Sequence, residues 1–241
     1  MKILRHKSPF TTETGYTFTE LDIAYDTWGT LNSSGDNVIW VCHALTANSD
    51  VDAWWPGMTG EGLAFDTSRY FVVCANILGS CYGTTGPLSV NPSTGKPWFN
   101  DFPVITVRDL VNVHEILRKH LGINGIDAII GSSIGGYQAL EYCIMVPGLI
   151  RNMVFIASSA RQSPWAIAFN ESQRLAIEAD PTFFGTDPEG GKKGLRAARS
   201  IGLLSYRTPY AYNTTQKEND ETKLTSFRAS SYQDYQGDKL V

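Results

Sequence analysis

The sequence has no excess of positive charge: 20 Lys and Arg stand against 24 Asp and Glu, for a formal charge of −4. It therefore carries no basic footprint for a nucleic-acid backbone. Long hydrophobic runs are also missing. None approaches the ~18 residues of a spanning helix, and the opening MKILRHKSPF has charge but no apolar signal core. These absences predict a soluble, cytoplasmic chain with no membrane partner. Cysteine is sparse, and Cys42, Cys74, Cys81 and Cys143 form no CxxC pair. Three of the four fall in apolar runs or on an apolar helix face, which predicts buried, reduced thiols rather than disulfides. The only histidines are His6, His43, His114 and His120, with no i, i+4 pair and no adjacent cysteine cluster, so no metal site is expected. Charged residues make up only 18%, against 42% hydrophobic and 12% aromatic, which excludes disorder and coiled coil. No repeat or low-complexity tract interrupts this globular composition.

What is present alternates between two patterns. Residues 17–28, TFTELDIAYDTW, alternate apolar and polar side chains before a turn at Gly29 and LNSSGDN, predicting an opening antiparallel hairpin. Four continuous β-branched runs follow at 38–42, 70–76, 126–131 and 152–158. Such runs suit strands covered on both faces, hence a mostly parallel sheet. Between the second and third run, residues 105–122 place Ile105, Leu110, Val113, Ile116, Leu117 and Leu121 on one stripe, a helix ending at Gly122. A second helix is expected at 136–147, stopped by Pro147. The alternation defines an α/β class with right-handed crossovers and helices on both faces. From Ser163 the texture changes to amphipathic helices at 164–180 and 192–206, then a polar stretch without a strand pattern. Residues 1–162 read as an α/β core and 163–241 as an incomplete helical cap.

Chemistry concentrates at Gly131-Ser132-Ser133-Ile134-Gly135, a G-x-S-x-G sequence directly after one apolar strand and directly before a helix. That context is the nucleophile elbow, a turn so tight that the positions two before and two after the serine must be nearly free of side chain. Gly131 and Gly135 meet this need. Ser132 is a competing hydroxyl without the paired glycines. The elbow sets Ser133 at a helix N-terminus, where unpaired amides and the positive dipole end favour a developing oxyanion. In this arrangement one oxyanion donor is the backbone N–H after the nucleophile, here Ile134. The second comes from the loop after an earlier strand, here Leu45 in Cys42-His43-Ala44-Leu45-Thr46. His43 reads as a histidine that fixes this loop in preference to a catalytic base. Elbow enzymes run serine, acid, histidine along the chain, and His43 precedes Ser133 by 90 residues.

At these residues the chain resembles the homoserine O-acetyltransferase family, of the MetX type, within the α/β-hydrolase superfamily. The resemblance rests on HALT (43–46), the segment from Gly79 to Pro87 continuing into NPSTGKPW (91–98), FPVITVRDLV (102–111), GSSIGGYQALE (131–141), AFNESQRLAI (168–177) and SYQDYQGDK (231–239). It implies an α/β-hydrolase fold and a ping-pong transfer of an acetyl group from acetyl-CoA, through an acyl-Ser133, to the hydroxyl of L-homoserine. By the same resemblance the substrates are small molecules, no cofactor is bound, acetyl-CoA is the acyl donor, and the full-length family forms homodimers. Arg174 falls at the family's substrate-binding arginine; a guanidinium fork suits an amino-acid carboxylate. The sequence departs from the family where Ile134 replaces a usual Met, Ser132 a usual Gly, and Ala47 the Gly of HALTG. A serine esterase of the same fold and a non-catalytic fragment are the alternatives.

One component has no candidate. All the histidines precede Ser133, so a triad in elbow order cannot be completed from these residues. The expectation is a C-terminally truncated chain that lacks the last strands with their Asp and His, leaving strand 152–158 as an apolar edge.

Overall fold

The structure, a computed structural model, describes residues 1–220 and 222–240. It divides into two compact units, one ending at Ala160 and the other beginning at Arg161, two residues before the expected boundary. In the first unit six strands form one sheet: β1 (Lys2–His6), β2 (Leu21–Trp28), β3 (Val38–Cys42), β4 (Phe71–Ala75), β5 (Ile126–Ser132) and β6 (Ile150–Ile156). Their spatial order is β1-β2-β4-β3-β5-β6. Strands β4, β3, β5 and β6 are parallel, whereas β2 is antiparallel to both β1 and β4.

Two expectations about this sheet need correction. Strand β2 does pair antiparallel, but its hairpin partner is β1, and β4 separates it from the strand that follows the Gly29 turn. Strand β1 is an edge strand, exposed or half-buried along its length, so it has little apolar signature of its own. The last strand starts at Ile150 rather than at 152, because Ile150 pairs with Ile126 and Ile156 with Ser132.

The continuous apolar runs are pleated, and alternate residues serve opposite faces. From β3, Val38, Trp40 and Cys42 join the larger core with Leu21, Ile23, Val73 and Ile129, while Ile39 and Val41 join a smaller one with Val72, Cys74 and Ile130. The larger core is closed by α1 (Val107–His120) and α2 (Ile134–Met145), through Leu110, Val113, Leu117, Ala139 and Tyr142. The smaller is covered by a single helical turn, Val51–Trp54, together with Phe65. Helix α1 begins with a capping box in which Thr106 and Asp109 bond reciprocally, and the buried Asp109 also accepts from the Glu13 amide at 2.9 Å. It ends with Gly122 at φ +70°, where the Ile123 amide turns back to the Arg118 carbonyl at 3.1 Å.

The second unit is helical: α3 (Pro164–Glu178), α4 (Lys192–Ser205), α5 (Pro209–Thr215) and α6 (Arg228–Asp238). The polar stretch after 206 thus contains two helices. Arg196 of α4 binds Asp234 and Asp238 of α6 at 2.8 and 2.5 Å, so its polar composition is used in ion pairing. Among the described residues no helix is long and apolar enough to cross a membrane.

Candidate active site

Ser133 sits between β5 and α2 with φ 55° and ψ −122°, a region that L-residues rarely occupy. The surroundings over-determine this strain. The Ser133 amide donates to the Ile156 carbonyl at 3.1 Å. Its own carbonyl accepts from Gly136 N–H and from the Ser158 hydroxyl, both at 2.9 Å. Ser133 occupies the N-cap position, yet its side chain caps nothing and is exposed. The hydroxyl is held out of the backbone's service.

The flanking glycines are required by contact. A β-carbon on Gly131 would lie 2.1 Å from the Gly135 carbonyl oxygen, and one on Gly135 would lie 2.1 Å from that of Cys42 and 2.9 Å from that of His43. A third glycine, Gly136, faces Ser158 with room for no β-carbon, at 2.5 Å. This one went unassigned in the sequence, where only the spacing around Ser133 marked a glycine as special. The Gly135 contact presses the start of α2 onto the end of β3, so the elbow and the 43–49 loop share one seam.

Ile134 is the first residue of α2, and its amide is among the first-turn donors with no partner inside the helix. Leu45 lies in the turn that Ala47 closes by donating to the Ala44 carbonyl at 3.0 Å, and it is 68% exposed. His43 is buried and committed to structure. Its Nε2 accepts from the Ile77 amide at 3.3 Å, which leaves the proton on Nδ1 to be donated to the Ala44 carbonyl at 2.8 Å. Burial holds its pKa below the ordinary histidine value. His114 on α1 is likewise buried, with Nε2 paired to Gln138 Oε1 at 2.8 Å, and burial takes its pKa down to about 4. Neither ring is available to Ser133.

Arg174 lies in the other unit, on α3, where its guanidinium is exposed and bonds Glu171 one turn earlier at 2.9 Å. The thiols are all free, but only Cys42 and Cys74 are buried; Cys143 is half-buried and Cys81 exposed. Of the three cysteines in apolar runs or on an apolar helix face, Cys143 is thus only half-buried, and Cys81, outside those runs, is exposed. A cavity of about 440 Å³ in the first unit is lined by Asp26, Asn48, Ser49, Asn76 and Tyr82, and Ser133 is not in its wall. Among the described residues no group of three or more His, Cys, Asp and Glu is placed to hold a metal ion.

Comparison with known proteins agrees with this fold. A family model described as the alpha/beta hydrolase fold matches residues 37–235. Curated proteins named homoserine O-acetyltransferase are similar: that of Cyclobacterium marinum is 50% identical over 95% of this chain, and that of Chloroherpeton thalassium 48% identical over 98%. The chain spans 65% and 63% of the length of these two relatives. Among solved structures, homoserine O-acetyltransferase from Bacillus anthracis superposes with a TM-score of 0.89 at 28% identity, covering all of this chain and 71% of that one. Esterase E22 gives 0.87 at 28% identity, covering 99% and 72%.

Proposed function

The chain belongs to the α/β-hydrolase fold family, and from that premise we propose that it is the nucleophile-bearing part of an acyltransferase that acetylates L-homoserine. The observation that carries this reading is the strained, exposed Ser133 at the head of α2, in a sequence half identical to a protein named for that reaction. In the first half-reaction Ser133 Oγ attacks the thioester carbonyl of acetyl-CoA; the C–O bond forms, the C–S bond breaks, and CoA leaves as the thiol with the serine proton. In the second, the homoserine hydroxyl attacks the acetyl-serine, O-acetylhomoserine departs, and the proton returns to Ser133. One oxyanion hole, the amides of Ile134 and Leu45, serves both tetrahedral intermediates. The role assigned to Arg174 is to fork the substrate carboxylate.

The proton acceptor is the remaining requirement. His43 and His114 are spent on loop and core, and no histidine follows Ser133. We therefore assign the base to protein outside these 241 residues, in keeping with the shorter span of this chain relative to its relatives. Loss of the base costs up to ~10⁶ in rate, leaving oxyanion and binding effects. The test is acetyl-CoA consumption with L-homoserine or water as acceptor. Slow, Ser133-dependent transfer that favours homoserine supports the reading; turnover of ordinary size from this chain alone, or transfer unchanged by Ser133→Ala, overturns it. The likeness to esterase E22 favours a second reading, hydrolysis, in which acetate forms equally fast without homoserine.

A further inference from the structure

The loop that carries Leu45 is held at both ends by two consecutive residues of a different strand connection. At its start, His43 Nε2 accepts the Ile77 amide at 3.3 Å while Nδ1 ties the next peptide through the Ala44 carbonyl. At its end, Asn76 Oδ1 accepts the Ser49 amide at 2.8 Å, and Asn76 Nδ2 donates to the Ser49 hydroxyl at 2.9 Å and to the Tyr82 carbonyl at 2.8 Å. Asn76 is itself fixed, its amide donating to the Ala24 carbonyl at 2.8 Å and its carbonyl accepting from the Thr84 hydroxyl at 2.7 Å. His43, Ser49 and Asn76 are each 1% exposed, whereas Leu45 between the two anchors is 68% exposed. Buried, mutually satisfied polar groups are costly to disturb and rigid for that reason. On its other side the same loop meets the Gly135 seam, so Ile134 and Leu45 are referenced to one block.

We propose that His43 and Asn76 are positioning residues that set the Leu45 amide as an oxyanion donor, clamping the loop from both ends. The inference rests on the acyl-serine reading above. A bare packing role for His43 would require only its volume; the clamp requires an acceptor at Nε2 and a donor at Nδ1, which a glutamine amide reproduces in part and a leucine does not.

The test uses the 241-residue chain and p-nitrophenyl acetate, an activated ester whose attack depends least on the absent base. Acetylation of Ser133 is followed by intact mass, with Ser133→Ala as control, and amide hydrogen exchange is read on the peptide covering 43–49. His43→Leu is expected to slow acetylation by about 10²-fold, the cost of one oxyanion donor, and to speed exchange in 43–49 while α1 stays protected. His43→Gln should recover most of the rate. Ser49→Ala, which removes the bonds its hydroxyl accepts from Asn76 Nδ2 and donates to Asp26 Oδ2 at 2.8 Å with little change in volume, should slow acetylation in the same direction, and it remains decisive if His43→Leu does not fold. Equal rates in His43→Leu and His43→Gln, or unchanged exchange in 43–49, overturn the clamp. A wild-type chain that never acetylates Ser133 removes the premise and the inference with it; faster exchange in His43→Leu then shows that the acyl-serine reading failed, not the bonding.

Discussion

Gly135 approaches Cys42 so closely that a β-carbon on the glycine would lie 2.1 Å from the cysteine's carbonyl oxygen. Both partners at that contact are backbone, and neither can swing aside. Gly135→Ala is therefore expected to cost about 3 kcal/mol or more, at or above the upper end of ordinary overpacking. Urea unfolding of the variant checks this; a loss under about 1 kcal/mol would mean that α2 can shift along β3 without resistance.

Ser133 pays for its exposure in backbone strain. Glycine adopts φ 55°, ψ −122° without a β-carbon clash. Ser133→Gly should therefore raise stability by about 1 kcal/mol, part of the relief being offset by the greater freedom of glycine in the unfolded chain. The same variant should lose acetylation altogether. Denaturation midpoint and intact mass, measured on one preparation, give the two answers; a destabilised variant would contradict the strain.

Stability should fall in acid through the buried histidines. Below the ordinary value of 6.5 an unfolded histidine takes up a proton, whereas folded His114 resists until about 4. The unfolded state then binds more protons, so stability is fully present above 6.5 and drains as the pH drops toward 4. The full loss for His114 is about 3 kcal/mol, and His43, also held below its ordinary value, adds to it. Denaturation midpoints between pH 7.5 and 4.5 should show the decline, and His114→Phe should flatten it. An unchanged slope in that variant would place the sensitivity elsewhere.

Thiol chemistry separates the cysteines by position. Burial raises the thiols of Cys42 and Cys74 well above their ordinary range and raises that of Cys143 as well, whereas Cys81 is exposed. Titration with a chromogenic disulfide should show one fast thiol, lost in Cys81→Ser, a slower Cys143, and the remaining pair only after denaturation. A fast phase that survives Cys81→Ser would show that a buried thiol opens readily.

The elbow was legible because its constraint is local: Gly131, Ser133 and Gly135 fall on one tight turn, and the apolar runs around them say where strand ends and helix begins. The runs also announced a parallel sheet, since strands covered on both faces read as continuously apolar. Strand order was not legible. That β4 lies between β2 and β3, and that β1 completes the edge, depends on hydrogen-bond partners drawn from segments far apart in the chain. Asn76 and Ser49 gave no signal either, each being one polar residue beside an apolar strand or in a loop.

Residue spacing by itself determined the class of fold and the tight strand-to-helix turn at Ser133, because turns and periodicities act over a few residues. Only the tertiary structure decided which atoms His43 bonds. The ring that the sequence reads as fixing its loop does so as a buried brace, with Ile77 and Ala44 meeting its two nitrogens. Long-range pairing chooses which atoms a titratable group faces, and that choice is made by the sheet.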